Sequence, residues 1–232
     1  MKRIFAIGDI HGCLRTLNAL LDKIAFTTSD ELIFLGDYVD RGPDSIGVLN
    51  KLAMLKLNGY QVVMLRGNHE QMLMDNYFFE SEKNELGLGN QQLLDSFGIT
   101  SLRQMPTEYL DFLATLPYYH LSGDYILVHA GMNFKVGDPF KNVDDMMWMR
   151  NWYKQIDREW LGNRIIIHGH TPQTKMETRT QLENLDTLPA LNIDCGVYFR
   201  SKLYKGYGYL CAFELTSQAL YFQENVDEDC IY

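Results

Sequence analysis

Aspartate, histidine and asparagine gather in short glycine-bounded runs along this chain. They are Gly8-Asp9-Ile10-His11-Gly12, Gly36-Asp37-Tyr38-Val39-Asp40-Arg41-Gly42 and Arg66-Gly67-Asn68-His69-Glu70, then His129-Ala130-Gly131 and His168-Gly169-His170-Thr171-Pro172. Five of the six histidines, all but His120, fall in these runs. Carboxylate oxygen, amide oxygen and imidazole nitrogen are donors suited to manganese, iron or zinc, and imidazole also carries protons near neutrality. Without thiolate, the runs do not read as a closed structural zinc site. Each run alone has a plain structural reading. Asp-x-His is common turn chemistry, and Gly36 to Gly42 fits a capped turn before a helix starting at Pro43. Asn68-His69-Glu70 fits an N-cap with an acidic first turn, while His129 and His168 follow apolar runs as core histidines do. Five such runs, each directly after a strand-length apolar segment, make coincidence untenable.

Those apolar segments set the frame. Arg3 to Ile7, Glu31 to Leu35 and Gln61 to Leu65 read as strands. Leu14, Leu17, Leu20, Leu21 and Ile24 recur at helical spacing, as do Ile46, Leu49, Leu52 and Met54, and a helical stretch runs through Gln71 and Met74. The alternation predicts a sheet with crossover helices, whose strand carboxyl ends bring loops to one point. Residues 81–116 are more polar and predict a helical insertion broken at Gly87, Gly89, Gly98 and Pro106. Beyond it, Tyr125 to Val128, Arg164 to Ile167, Leu191 to Asp194, Tyr207 to Glu214 and Leu220 to Gln223 read as strands. One helix is expected among them, around Trp148 to Trp160. No repeat or linker interrupts, so residues 1–232 are expected to form a single domain.

Apolar residues make up 46% of the 232 and charged residues 22%, which excludes a disordered chain. Lysine plus arginine number 21 and aspartate plus glutamate 30, so the net charge is −9. A chain this acidic is a poor duplex binder. Its tyrosines and phenylalanines, with no basic stripe beside them, are expected to be core and surface aromatics rather than a nucleic-acid platform. The four cysteines form no CxxC pair, and the apolar run after Met1-Lys2-Arg3 stops at Gly8-Asp9, too short for a signal peptide. No apolar run approaches the roughly 18 residues of a membrane span. The expectation is a reduced, cytoplasmic protein with no nucleic-acid or membrane partner, compatible with a monomer.

Taken in order, GDIHG, GDYVDRG, RGNHE, HAG and HGHTP resemble the motifs of metallophosphoesterases of the phosphoprotein phosphatase family, most closely its short bacterial and phage members. The resemblance spans residues 3–172, with a looser echo in Asn192-Ile193-Asp194-Cys195-Gly196. It implies an α/β (α+β) fold of two packed mixed β-sheets flanked by helices, with a dinuclear metal centre at the strand ends. Position by position, Asp9 and His11 resemble ligands of a first metal and Asp37 the carboxylate bridging both. Asn68, His129 and His170 resemble ligands of the second. The implied cofactors are two divalent ions, manganese first, with iron or zinc as alternatives. Arg41 and Arg150 resemble phosphate clamps, Arg150 through the looser Trp148-Met149-Arg150. His69 resembles the acid that protonates the leaving group, and Asp40 the carboxylate that orients it. His168 is expected to be structural, and Glu70 to start a helix or support the ligands from behind.

The chemistry so implied is direct hydrolysis of a phosphomonoester by a metal-bridging hydroxide. Two dications less the carboxylates of Asp9 and Asp37 and the hydroxide leave about +1, which the arginines raise further, so phosphate is attracted. The favoured reading is a serine/threonine or dual-specificity protein phosphatase acting on a phosphoprotein or small phosphoester. The alternative is a symmetrical dinucleoside tetraphosphate hydrolase. Those relatives usually carry alanine where this chain has Asp40 and aspartate where it has Glu70, and no Lys/Arg cluster accompanies the motifs to hold a polyphosphate chain. A non-catalytic phosphopeptide-binding module would have lost a ligand or the acid. A metal-stabilised structural protein would not need Arg41 or the His69–Asp40 pair. None of these losses is present, so an enzyme is expected.

Overall fold

The computed structural model describes residues 2–79, 90–200 and 202–227. The chain runs β1 (Ile4–Ile7), α1 (Leu14–Lys23), β2 (Glu31–Phe34), α2 (Ser45–Leu57), β3 (Gln61–Met64) and α3 (Asn68–Phe79). After α4 (Asn90–Phe97), α5 (Thr107–Ala114), β4 (Tyr119–Ser122) and β5 (Tyr125–Val128) come α6 (Val143–Trp148), α7 (Arg158–Leu161) and β6 (Ile165–His168). The last elements are α8 (Lys175–Glu183), β7 (Ala190–Asn192), β8 (Asp194–Cys195), β9 (Tyr209–Glu214) and β10 (Ala219–Glu224). Two mixed sheets result. One has the order β10-β9-β1-β2-β3 with β8 paired to β9, the other β4-β5-β6-β7. Strands β1, β2 and β3 are parallel, as the expected crossover helices require, and β9 closes antiparallel on β1.

Side-chain alternation along β1 shows how the layers form. Phe5 and Ile7 point outward to Leu17, Leu20, Val48 and Leu52 of α1 and α2. Ala6 points inward, where Ile33, Leu35 and Leu65 meet Leu127, Ile167, Leu191 and Ile193 of the second sheet. A third cluster, with Ile126 and Ile166 against Met146, Trp152 and Leu161, covers the far face. The expected pair of packed mixed sheets flanked by helices is the observed architecture. No helix among the described residues is long and apolar enough to cross a membrane.

Several elements differ from expectation. The single helix around Trp148 to Trp160 does not form. α6 ends at Trp148, Asn151 takes a left-handed φ of 57°, and α7 starts afresh under an Asp157 cap. Trp152 is pulled into the core between them, its indole N–H donating to Ala130 O (3.0 Å). The segment expected as one strand, Leu191 to Asp194, splits into β7 and β8, which join different sheets. β4 and α8 lacked strong periodicity, although α8 carries a full capping box between Thr174 and Glu177. In the 81–116 insertion, α4 ends at Gly98 and α5 begins after Pro106 as expected. Gly87 and Gly89 lie outside the described residues.

The entry to β1 supplies a stability test. Arg3 donates from Nε and an Nη to the buried Asp30 carboxylate (3.0 and 2.6 Å) and from its Nη atoms to the carbonyls of Ile24 and Ala25. The arginine hydrogen bond holds the Asp30 carboxyl down to about 2. A carboxyl whose pKa falls on folding stabilises above its unfolded value of about 4 and loses that contribution as pH drops towards the folded value. Asp30→Asn should therefore lower Tm at pH 7, and its deficit against wild type should shrink between pH 4 and pH 2. Thermal melts across that range check it; a deficit independent of pH would show that the charge contributes nothing.

Candidate active site

All five runs lie at the carboxyl ends of β1, β2, β3, β5 and β6, so two sheets feed one point. The loops after β1 and β2 are locked together: Ile10 and His11 N–H donate to Asp37 O (3.0 and 2.8 Å), and Gly12 N–H to Tyr38 O (2.8 Å). His11, Asp37, Asp40, Arg41 and His170 all adopt positive φ, between 46° and 72°. For side chains with a Cβ this is a costly conformation that persists only where surroundings impose it. Gly36 (φ 109°) has no alternative, since a Cβ there would sit 2.6 Å from Gly67 N. At Gly67 a Cβ would collide with the Asp37 carboxylate.

Two donor sets share Asp37. His11 Nε2 lies 3.5 Å from Asp37 Oδ2, and His69 Nε2 is 3.9 Å from the same oxygen. On the other side, His129 Nε2 is 3.3 Å from Asp37 Oδ1. Asn68 Oδ1 sits 3.0 Å from that nitrogen and 2.8 Å from His170 Nδ1. Ligand atoms of His11, Asp37 and His69, and of Asp37, His129 and His170, fall within 4.8 Å of one another in each group. Asp9 is in neither group; its carboxylate accepts from His170 N–H (3.0 Å to Oδ2). The structure thus brings His11, Asp37, Asn68, His129 and His170 into two sets with Asp9 beside them against His170, and places His69 next to the first set.

The donor chemistry fits cations. His11 Nδ1–H donates to Val39 O (2.9 Å) and His129 Nδ1–H to Leu35 O (3.0 Å), which leaves both Nε2 atoms as inward-facing lone pairs. With Asn68 Oδ1 turned towards it at 3.0 Å, the His129 lone pair faces another lone pair, a contact that a cation between them would relieve. Burial pushes His11 and His129 down, and His170 down to about 3, so the rings are neutral, the state that can ligate. Burial likewise drives up Asp9, helped by the Asp194 and Asp37 charges, and raises Glu70 and Asp194 to about 7. Four buried carboxylates in one site are short of positive charge, and two divalent ions would supply it.

Around these sets the remaining expected residues take their places. His69 Nδ1–H donates to Asp40 Oδ2 (2.6 Å). Burial works against charge on His69, but Asp37 and Asp40 outweigh it and hold its pKa above the ordinary histidine value. Arg41 stacks on the Tyr198 ring, its guanidinium carbon 4.4 Å from the centroid, and its buried Nε has no hydrogen-bond partner. Arg150 reaches the site from the loop after α6 and donates from Nε to His170 Nε2 (3.0 Å). Glu70 does more than start α3. Its Oε2 accepts from Asp37 N–H and Gly67 N–H (2.8 and 2.9 Å) and its Oε1 from Tyr38 N–H (2.7 Å), fixing the Asp37 turn. His168 is buried, accepts from Tyr153 O–H (2.8 Å) and belongs to neither donor set.

Two residues escaped the sequence reading. Asp194 lies buried beside Asp9, its Oδ1 accepting from Gly196 N–H (2.8 Å) and its Oδ2 unpartnered. Tyr198 forms the platform under Arg41 and packs edge-on to His11 at 5.0 Å. Both arrive from the final crossover; only the faint echo at Asn192 to Gly196 pointed towards the first.

The family model for calcineurin-like phosphoesterases matches residues 2–207. A symmetrical bis(5'-nucleosyl)-tetraphosphatase of Nitrosospira multiformis is 34% identical over 132 residues, 56% of this chain and 43% of that protein. The chain therefore spans less than half the length of such relatives. An asymmetrical bis(5'-nucleosyl)-tetraphosphatase of Oceanobacillus iheyensis is 27% identical over 227 residues, 87% of this chain and 86% of that protein. Among solved structures, a serine/threonine protein phosphatase of Saccharomyces cerevisiae superposes with a TM-score of 0.65 at 16% identity, over 98% of this chain and 81% of that one.

Proposed function

This chain belongs to the calcineurin-like phosphoesterase family, and from that premise we propose that it is a metal-dependent hydrolase of dinucleoside tetraphosphates, cutting symmetrically to two nucleoside diphosphates. The observation that carries the chemistry is Asp37, whose two oxygens face separate donor sets. The substrate class is supported by relatives named bis(5'-nucleosyl)-tetraphosphatases, one symmetrical and one asymmetrical, which weigh against the protein-phosphatase reading that Asp40 and Glu70 favoured. Asp9, His11 and Asp37 would hold one divalent ion, and Asp37, Asn68, His129 and His170 the other. When bound, such ions supply a water acidified at neutral pH and positive charge against phosphoryl oxygens.

The chain's own groups do the rest. Arg41, held over the Tyr198 ring, can grip two phosphoryl oxygens at once. Arg150 depends on His170. With His170 Nδ1 given to a cation, its Nε2 must carry the proton and can no longer accept from Arg150, so that guanidinium is freed for the substrate. His69, kept protonated by Asp37 and Asp40, offers its Nε2 proton to the departing oxygen. Glu70 keeps the Asp37 turn from shifting while charge moves.

One observation favours a second reading, a phosphoprotein phosphatase: the His69–Asp40 pair is a strong acid device, most needed when the leaving group is an alkoxide. Manganese-loaded protein assayed against diadenosine tetraphosphate and a seryl phosphopeptide decides. We expect kcat/KM to favour the dinucleotide by about tenfold or more, with ADP as sole product. ATP plus AMP would mean asymmetrical cleavage, and preference for the phosphopeptide would install the second reading.

A further inference from the structure

The chain is acidic overall, yet the segment 196–208 between β8 and β9 holds Arg200, Lys202 and Lys205, four aromatic residues, and no aspartate or glutamate. β9 runs antiparallel to β1 and to β8, so this segment turns at the same sheet end as Asp9. Its base is fastened there. Gly208 N–H donates to Cys195 O (3.1 Å), Asn225 Nδ2 to Val197 O (2.7 Å), and Lys175 N–H to Gly206 O (2.9 Å). A Cβ on Gly196 would lie 3.3 Å from Pro172 Cβ, so the loop abuts the run that carries His170. Contact continues outward from the site: Arg41 on Tyr198 at 4.4 Å, Tyr198 on Phe199 at 4.4 Å, Phe199 on Tyr204 at 4.8 Å. At the far end Lys202, Tyr204 and Lys205 are exposed.

A phosphomonoester needs nothing beyond the arginines. A dinucleoside polyphosphate carries further charged phosphates and a nucleobase on each side of the bond to be cut, and these must lie on something. Building on the substrate reading above, we propose that loop 196–208 is the subsite for one nucleotide arm, with Lys202 and Lys205 facing its phosphates and the Tyr204 ring stacking its base. Cations and a stacking ring interleaved on one exposed loop are what a nucleotide chain recognises. Motif by motif, the sequence shows no cationic cluster beside the site; the antiparallel β8–β9 connection turns one towards that end of the sheet.

Two variants test it, Lys202→Gln/Lys205→Gln and Tyr204→Ala, with Tyr204→Phe as the conservative control and diadenosine tetraphosphate and p-nitrophenyl phosphate as substrates. Each variant should raise KM for the dinucleotide about fivefold or more with kcat nearly unchanged, and leave the armless aryl phosphate unaffected. Tyr204→Phe should behave as wild type. The rise of dinucleotide KM with added salt should flatten in the lysine variant. Dinucleotide KM unchanged in both variants, or equal losses on the aryl phosphate, overturns the subsite while sparing the substrate reading. A raised KM for an acidic phosphopeptide alone reassigns the loop and overturns the proposal. Wild-type protein that cleaves the aryl phosphate but not the dinucleotide brings down the substrate reading and the subsite together.

Discussion

Asp37→Asn should empty both halves of the centre together and lower kcat by about 10³-fold or more. Asp37 is the residue whose two oxygens face His11 on one side and His129 on the other, so its charge serves both donor sets. An amide keeps the shape but removes the charge and turns one oxygen into a donor. Asn68→Ala, by contrast, removes an oxygen that faces only His129 and His170, and should deplete a single ion. Metal content by elemental analysis separates the two: both ions lost in the first variant, about one in the second. Equal depletion in the two variants would deny Asp37 its shared role, as would a single ion in active wild-type protein.

His69→Asn should leave metal content intact and depress turnover by about 10²–10⁴-fold where the leaving group is poor. The imidazole is fixed by its 2.6 Å bond to Asp40 and sits at the edge of the donor sets, 3.9 Å from Asp37 Oδ2. If its task is to give up a proton, the loss must scale with the basicity of the oxygen it protonates. Seryl phosphate should suffer most, and the dinucleotide and p-nitrophenyl phosphate far less, because a nucleoside diphosphate and p-nitrophenolate both leave readily. Losses of one size on all three would assign His69 to positioning. Loss of metal from the variant would make it a ligand, as its nearness to His11 and Asp37 allows.

Why the site was so legible, and the surrounding fold less so, follows from where each interaction lives. Asp9, His11, Asp37, Asn68 and His129 sit in contiguous runs directly after β1, β2, β3 and β5, because a strand end and the first turns after it are the shortest path from a rigid element to a shared point. Short runs keep their chemistry visible. Asp194 and Tyr198 reach the same point from a crossover whose course is set by pairing with β9, and no local pattern records that. Trp148 to Trp160 departs from its helical expectation because its apolar spacing suits a helix, whereas Trp152 docks beside Ala130 and the backbone turns at Asn151. α8 is the opposite case, a helix with a weak apolar face whose capping box was nonetheless written out in Thr174 and Glu177. Lys202 and Lys205, unremarkable in sequence, are carried to the sheet end that holds Asp9 only through the pairing of β9.

The donor sets also divide by sheet. Asp9, His11, Asp37 and Asn68 descend from β1, β2 and β3, whereas His129 and His170 hang from β5 and β6. At the site, the polar ties across that seam include His129 to Leu35 O and His170 N–H to Asp9, above an apolar interior that has no directional preference of its own. Ions seated here would rivet one layer of the sandwich to the other, so occupancy belongs to the folding equilibrium as much as to the reaction. By mass action, free metal at a hundred times its dissociation constant adds about 2.7 kcal/mol per site to the folded state, a large share of what a domain of this kind has in hand. Starving the protein of metal would then loosen the sandwich along its seam as well as silence the chemistry.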